Sequence, residues 1–245
     1  MRLALVIAAL ALSAVPAAAQ DMTTTIVPIV GSTYGPTLIR WLTDVEIVNE
    51  SGFETDVAIE LLSVPAAPAF VFTLGPGQSQ RFTDIVGQAF GLESAISPLR
   101  VTTAGRRPLT VHARAYAVRG ADASPPQSLP VYGVNTYFPL RSLDNLSFSD
   151  DFRTNIGLVN SGESDADFVL ALQRVPGRNL AVTYVRVPPG AIRHESIQGL
   201  FPMITEGYGF SVVVETGNRD TLVYASVIEN VNNAGTFVVP RIAFR

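Results

Sequence analysis

A two-residue alternation runs through Val111-His112-Ala113-Arg114-Ala115-Tyr116-Ala117. Val and Ala occupy the odd positions, whereas larger polar residues occupy the even ones. Because successive side chains of a β-strand point to opposite faces, this pattern predicts a strand with one face in a core and the other outward. Residues 57–62 and 168–173 alternate in the same way.

Turn-forming residues separate these runs. Asn49-Glu50-Ser51-Gly52, Gly75-Pro76-Gly77 and Asn160-Ser161-Gly162 are typical turn sequences. Strands at this spacing predict an all-β fold of two tandem antiparallel β-sandwich repeats, each with about seven strands. Each repeat has room for one short helix, around residues 84–90 in the first and 196–201 in the second.

The two repeats are suggested by internal similarity at an offset of 111 residues, which shifts by one or two where residues are inserted. Trp41-Leu42-Thr43-Asp44 aligns with Phe152-Arg153-Thr154-Asn155, and Val111 and Ala113 align with Val223 and Ala225. Many matches in the same order predict a duplication.

A shorter element occurs three times. Thr25-Ile26-Val27-Pro28 aligns with residues 136–139 and is echoed by Thr236-Phe237-Val238-Val239-Pro240. Three copies of this strand beside two copies of the body leave two alternatives: the last strand completes the second repeat, or the N-terminal strand completes a partner molecule. We expect the first, because closing an edge within one chain avoids the entropy cost of association.

The N-terminus has the pattern of a secretory signal peptide. Arg2 precedes the apolar run Leu3–Leu12, and small residues follow up to Ala19. The run is too short for a permanent span, although an N-terminal membrane anchor is the alternative interpretation. No cysteine is available for a lipid anchor. We therefore predict a signal peptide over 1–19, repeats over 20–130 and 131–245, and a secreted or periplasmic location.

Composition removes several classes of function. The chain has no cysteine, and all 17 of its basic residues are arginine. Disulfides, thiolate metal sites, Schiff-base chemistry and P-loops are therefore excluded. A formal net charge of −4 without a basic run argues against nucleic acid as a partner. We expect no cofactor, and no membrane span in the mature chain.

One motif set resembles a known group of proteins. Phe152-Arg153-Thr154-Asn155, the turn Asn160-Ser161-Gly162 and the later Val187-Pro188-Pro189-Gly190 are similar to motifs of secreted bacterial tandem β-sandwich (Ig-like) repeat proteins. The first copy departs from them at Trp41-Leu42 and at Leu74-Gly75-Pro76-Gly77. The resemblance implies a fold and an extracellular setting, and it implies no reaction.

No catalytic cluster is recognisable. His112 and His194 each lack a second histidine at metal-ligand spacing, and no serine lies in a Gly-x-Ser-x-Gly elbow. We expect surface or strand-edge histidines and no enzymatic activity. A Ser-His-Asp site could still assemble in space, so a hydrolase remains an alternative.

The acidic turn after residue 162 is the one candidate metal site. Glu163, Asp165 and Asp167 have a spacing that could present oxygen atoms to Ca²⁺. The turn lacks the glycine and the later glutamate of an EF-hand loop. A solvated hairpin turn is the alternative.

Aromatic and arginine side chains indicate a binding surface. Trp41 is the only tryptophan and follows Arg40, while His112, Arg114 and Tyr116 form a row on one strand face. Such a surface suits a protein or glycan partner. The row can instead be covered by the other repeat. We therefore predict a non-enzymatic binding module, with a structural role in an extracellular assembly as a further alternative.

Overall fold

The computed structural model describes residues 22–35, 39–105, 109–133 and 138–243. The predicted signal peptide over 1–19 lies outside these ranges. The strands of the N-terminal half are β1 (Met22–Tyr34), β2 (Arg40–Asn49), β3 (Thr55–Leu61), β4 (Phe70–Leu74), β5 (Ser79–Phe82), β6 (Ala95–Ala104), β7 (Leu109–Arg119), β8 (Asp122–Ala123), β9 (Gln127–Ser128) and β10 (Tyr132–Gly133). Those of the C-terminal half are β11 (Leu140–Phe148), β12 (Phe152–Asn160), β13 (Ala166–Val175), β14 (Arg178–Val187), β15 (Ile192–Ser196), β16 (Gly207–Thr216), β17 (Thr221–Glu229), β18 (Gly235–Val238) and β19 (Arg241–Ile242).

One short helix lies in each half. Helix α1 spans Ile85–Phe90 and helix α2 spans Ile197–Leu200. Asp84 caps α1 by accepting from the backbone N–H of Gly87 at 3.1 Å, and the Ser196 hydroxyl caps α2 in the same way. The strands pair in antiparallel fashion. The predicted all-β antiparallel fold with two short helices is confirmed.

Apart from β8, which pairs with β7, strand order is the same in both halves. In the N-terminal half one group of strands runs β4-β3-β6-β1, with β10 on β1, and a second contains β5, β2 and β7, with β9 on β7. The C-terminal half has β14-β13-β16-β11-β19 and β15-β12-β17-β18. In the N-terminal half only, β1 also pairs with β2 and joins the two groups into one sheet. This common order agrees with the predicted duplication.

Each half has its own apolar core. Val45 and Ile47 of β2 pack in one cluster with Ile59 of β3. In the C-terminal half, Ile156 of β12 shares a cluster with Leu170 of β13. Both clusters take side chains from both groups of strands, which fits a sandwich.

The equivalence of the N-terminal element with residues 136–139 is wrong. Ile26 of β1 pairs with Arg100, and Leu143 of β11 pairs with Val212 at the equivalent place of β16. The counterpart of β1 is therefore β11, which begins after Pro139. Residues 134–137 lie outside the described ranges. The offset is larger here because the chain first returns through β9 and β10 to complete the N-terminal half.

The C-terminal echo completes the half to which it belongs. β18 pairs with β17, and β19 pairs with β11. These strands take the places that β9 and β10 have in the N-terminal half. Within the described residues, no helix has the length and apolarity needed to cross a membrane.

Candidate functional site

The two halves meet at the outer face of the strand pair β12–β17. Val159, Leu222 and Tyr224 of this face are buried in one cluster with Ile26 of β1. The hydroxyl of Tyr132 donates to the backbone carbonyl of Val223 at 3.3 Å, and burial raises its pKa. This part of the junction is packed like a domain core.

Hydrogen bonds extend the junction toward the Pro188-Pro189-Gly190 turn. The Ser63 hydroxyl donates to the carbonyl of Gly190 at 3.1 Å. Gly190 has a φ of 66°, and a Cβ there would lie 2.7 Å from the carbonyl oxygen of Leu62. Glycine is therefore required both by the backbone and by the neighbouring half. A motif that carried the resemblance thus contacts the other half.

Beside this cluster the junction opens into a cavity of about 220 Å³, which we call the junction pocket. Ile29, Ile96, Ile228 and Phe237 supply much of its apolar wall. Trp41 enters from the N-terminal half, whereas Arg153, Asn155 and His194 enter from the C-terminal half. Concave apolar sites between domains that contain a few polar groups are typical of ligand binding.

Trp41 reaches the pocket because the end of β1 pairs with the start of β2. Thr33 and Trp41 are cross-strand partners, and a Cβ on Gly35 would lie 3.8 Å from the indole nitrogen. The residue is half-buried, and its N–H has no hydrogen-bond acceptor among the described residues. A flat ring with a free donor at its edge is available to a ligand.

Arg153 is held at the pocket by the turn between β17 and β18. Its Nη1 donates to the side-chain oxygen of Asn230 and its Nη2 to that of Asn233, both at 2.8 Å. Asn233 adopts a φ of 57°, a conformation that asparagine tolerates better than most residues. Desolvation lowers the pKa of the Arg153 guanidinium. The result is an oriented cation whose partners are neutral.

His194 lies between the pocket and the buried cluster. Its Nδ1 is 2.9 Å from the hydroxyl of Tyr224, whose ring is completely buried. His194 is exposed overall, but protein atoms crowd its ring, and this desolvation lowers its pKa to about 4. The ring is therefore neutral at physiological pH, and its other nitrogen is available for hydrogen bonding.

Arg40 does not share the pocket with Trp41. Its guanidinium donates to the Ser32 hydroxyl at 2.8 Å and to the Asp84 carboxylate at 3.2 Å. Asp84 is also the cap of α1. Neighbouring strand residues point to opposite faces, so Arg40 is tied to the helix cap while Trp41 faces the junction.

The predicted row of His112, Arg114 and Tyr116 lies on the outer face of β2–β7. His112 and Arg114 are exposed, and Arg114 is 3.4 Å from the Asp44 carboxylate, which also binds Arg81. Desolvation, followed by a hydrogen bond with Asp44, raises the pKa of Tyr116 to about 12. The row is accessible but separate from the junction pocket.

The acidic turn shows no metal-binding arrangement. Asp167 forms an exposed ion pair with Arg186 at 2.7 Å. Among the described residues no three histidine or carboxylate side chains converge as metal ligands. Glu163 and Asp165 are exposed. The calcium hypothesis therefore stays a prediction without geometric support.

Sequence reasoning found Trp41 but missed its neighbours in the pocket. Arg153 and Asn155 lie in the motif that carries the resemblance. His194 is exposed on the edge strand β15, which agrees with the predicted surface or strand-edge histidine, but the sequence does not place it beside Trp41. One available signal was the alignment of Arg153 with Leu42, which shows that a charged residue replaces an apolar one at equivalent positions.

No Asp or Glu lines the described part of the junction pocket, so His194 has no carboxylate beside it there. The hydrolase alternative gains no support from this arrangement. The chain matches no protein-family model, and no curated protein matches it.

Proposed function

We propose that the protein is an exported, non-enzymatic β module that binds a protein or glycan partner by enclosing one of its groups in the junction pocket. The observation that carries this proposal is the position of the single tryptophan, half-buried in a cavity between the two halves. The predicted signal peptide over 1–19 supports export.

The chemistry of the pocket wall supports binding. Tryptophan supplies a large apolar surface at a low cost in conformational entropy, and it is enriched among residues that dominate binding energy. Asn155 and His194 add polar groups that orient a ligand. The packed cluster around Tyr224 holds the pocket walls in position.

A glycan array and a pull-down with the processed chain test the proposal. The Trp41→Ala variant is expected to lose the ligands that the wild type captures, because the apolar wall is removed. Tyr184→Ala is the matched control, since Tyr184 is 76% exposed on β14 and does not line the pocket. Equal capture by wild type and Trp41→Ala would exclude the pocket as the site.

Emission from Trp41 gives a direct measurement. It is the only tryptophan, so its fluorescence reports on the pocket without background from another indole. We expect a captured ligand to shift or quench this emission, whereas a partner that binds only the His112–Tyr116 row leaves it unchanged.

A further inference from the structure

This inference rests on the proposed function, because it names the chemistry of the group that enters the junction pocket. We infer that the pocket selects a sugar ring that carries a carboxylate, as the uronic acid units of acidic glycans do. Arg153 binds the carboxylate, and Trp41 covers a face of the ring.

The charge of Arg153 is not neutralised within the described residues. Both of its hydrogen-bond partners, Asn230 and Asn233, contribute amide oxygens, which orient a guanidinium without cancelling its charge. Arg81 and Arg114, by contrast, share the Asp44 carboxylate. Arg153 therefore remains a net cation at the pocket.

The remaining donors suit a carboxylate. A guanidinium carries five N–H groups, and two of those on Arg153 are occupied by the asparagines. Three N–H groups therefore remain, and a guanidinium can bind a carboxylate through two of them in a bidentate pair. Preorganisation by two hydrogen bonds lowers the entropy lost when the ligand binds.

The apolar wall strengthens this preference. Ile228 and Phe237 line the same pocket and exclude water from part of it, so charges there are screened less than on the surface. The lowered pKa of Arg153 reflects the same desolvation. A bound carboxylate stabilises the Arg153 guanidinium in place of the water that the apolar wall excludes.

The rest of the pocket favours a sugar over an acidic peptide. Trp41 offers a flat face, while Thr33, Asn155 and His194 place polar groups around it. A pyranose ring has both an apolar face and hydroxyl groups to match, whereas an aspartate or glutamate side chain has no ring face and no hydroxyl group. A volume of about 220 Å³ is below that of most drug-sized sites, as expected for a single ring.

The test compares two probes that differ only at the carboxyl groups, trigalacturonate and its fully methyl-esterified form. Each is titrated into the processed chain at low ionic strength while Trp41 emission and calorimetric heat are followed. We expect the acid to bind about tenfold or more tightly than the ester, because a charge-assisted hydrogen bond is replaced by a neutral one.

Two variants locate the preference at Arg153. Arg153→Gln removes the cation, and Asn233→Asp places a carboxylate beside it while keeping the residue in place. Both are expected to bring the acid-to-ester ratio close to one. Arg178→Gln is the control, since Arg178 is an exposed arginine on β14 that does not line the pocket. Circular dichroism verifies that each variant folds. If Arg153→Gln does not fold, the acid-to-ester ratio of Asn233→Asp tests the inference in its place.

The outcomes separate this inference from the proposed function. Equal binding of acid and ester would overturn charge selection and leave a binding pocket in place. Binding of acetyl-Glu-Glu-Glu-amide in preference to trigalacturonate would also overturn it, in favour of an acidic protein partner. No emission change with any glycan or captured protein would overturn the proposed function itself.

Discussion

The outer faces of β2–β7 and β12–β17 occupy equivalent places in the two halves but have opposite environments. On the first, His112 and Arg114 are exposed. At the equivalent positions of the second, Tyr224 and Ser226 are buried. The backbone pairing is the same. The difference shows that side chains, and not strand order, decide which face becomes the junction between the two halves.

The residue opposite His112 or Tyr224 on the neighbouring strand also decides whether the face can be buried. Glu46 lies opposite His112, whereas Gly157 lies opposite Tyr224. The missing side chain of Gly157 leaves room for the Tyr224 ring, and the other half then packs against this face. Charged residues on the N-terminal face keep it hydrated, as polar outer faces do in terminal repeats.

Among the substitutions that test the difference between the two faces, Tyr224→Ala is expected to have the largest effect on stability. The substitution opens a cavity in the buried cluster, and we expect the free energy of unfolding to fall by about 3–5 kcal/mol. His112→Ala at the equivalent exposed position is expected to change it by less than about 0.5 kcal/mol. Chemical denaturation measures both. Similar losses for the two variants would contradict the assignment of one buried and one exposed face.

Gly157→Ala tests the room left for the ring. A Cβ at Gly157 would overlap the buried Tyr224 ring, so we expect a loss of about 1–3 kcal/mol in the free energy of unfolding. Gly217→Ala is the matched control, because a Cβ there has no neighbour within 4 Å. A Gly157→Ala variant as stable as the control would show that the junction adapts without strain.

A pH series tests the environment of His194, with an effect smaller than these because the residue is exposed. Its pKa is about 4 in the folded chain and near its ordinary value of 6.5 in the unfolded chain. The unfolded state therefore binds a proton first as pH falls, and stability declines between about 6.5 and 4.

Denaturation of wild type and His194→Asn across that pH range measures this decline. The variant is expected to lack the share of the decline that comes from His194. Arg178→Gln, a change at an exposed arginine of β14, should keep the wild-type profile. Identical profiles for wild type and His194→Asn would refute desolvation of this ring.

The smallest effect is expected on the exposed face. Asp44→Asn removes the carboxylate shared by Arg81 and Arg114, and because both arginines are well exposed we expect a loss of about 0–1 kcal/mol. The loss should shrink further in 1 M salt. Denaturation at low and high salt tests this, and a loss above about 2 kcal/mol would mean that the face is structurally as important as the junction.

Local patterns predicted the fold well. The short helices predicted around residues 84–90 and 196–201 are present as α1 and α2. The alternating strands could also be predicted, because the two-residue pattern within each strand indicates which of its side chains are buried. The match of Thr25–Pro28 to residues 136–139 failed because four residues contain too little information to define strand equivalence.

Only part of the candidate site could be predicted from the sequence. The sequence identified Trp41 as a rare aromatic residue, but the guanidinium of Arg40 next to it forms an ion pair with Asp84. The distinction between the two depends on which face of β2 each side chain takes and on what covers that face. His194 and Arg153 lie more than 100 positions along the chain from Trp41, and no local pattern relates them.

Alternation, turns and the internal similarity therefore establish an all-β chain with one short helix in each half, because these features can be read from the order of residues alone. The choice of β12–β17 as the buried face depends on the packing of Tyr224 over Gly157 and against the other half. That choice also brings Trp41, Arg153 and His194 to one pocket. Contacts between distant segments arise from shape complementarity in the folded molecule, so this part of the protein is visible only in three dimensions.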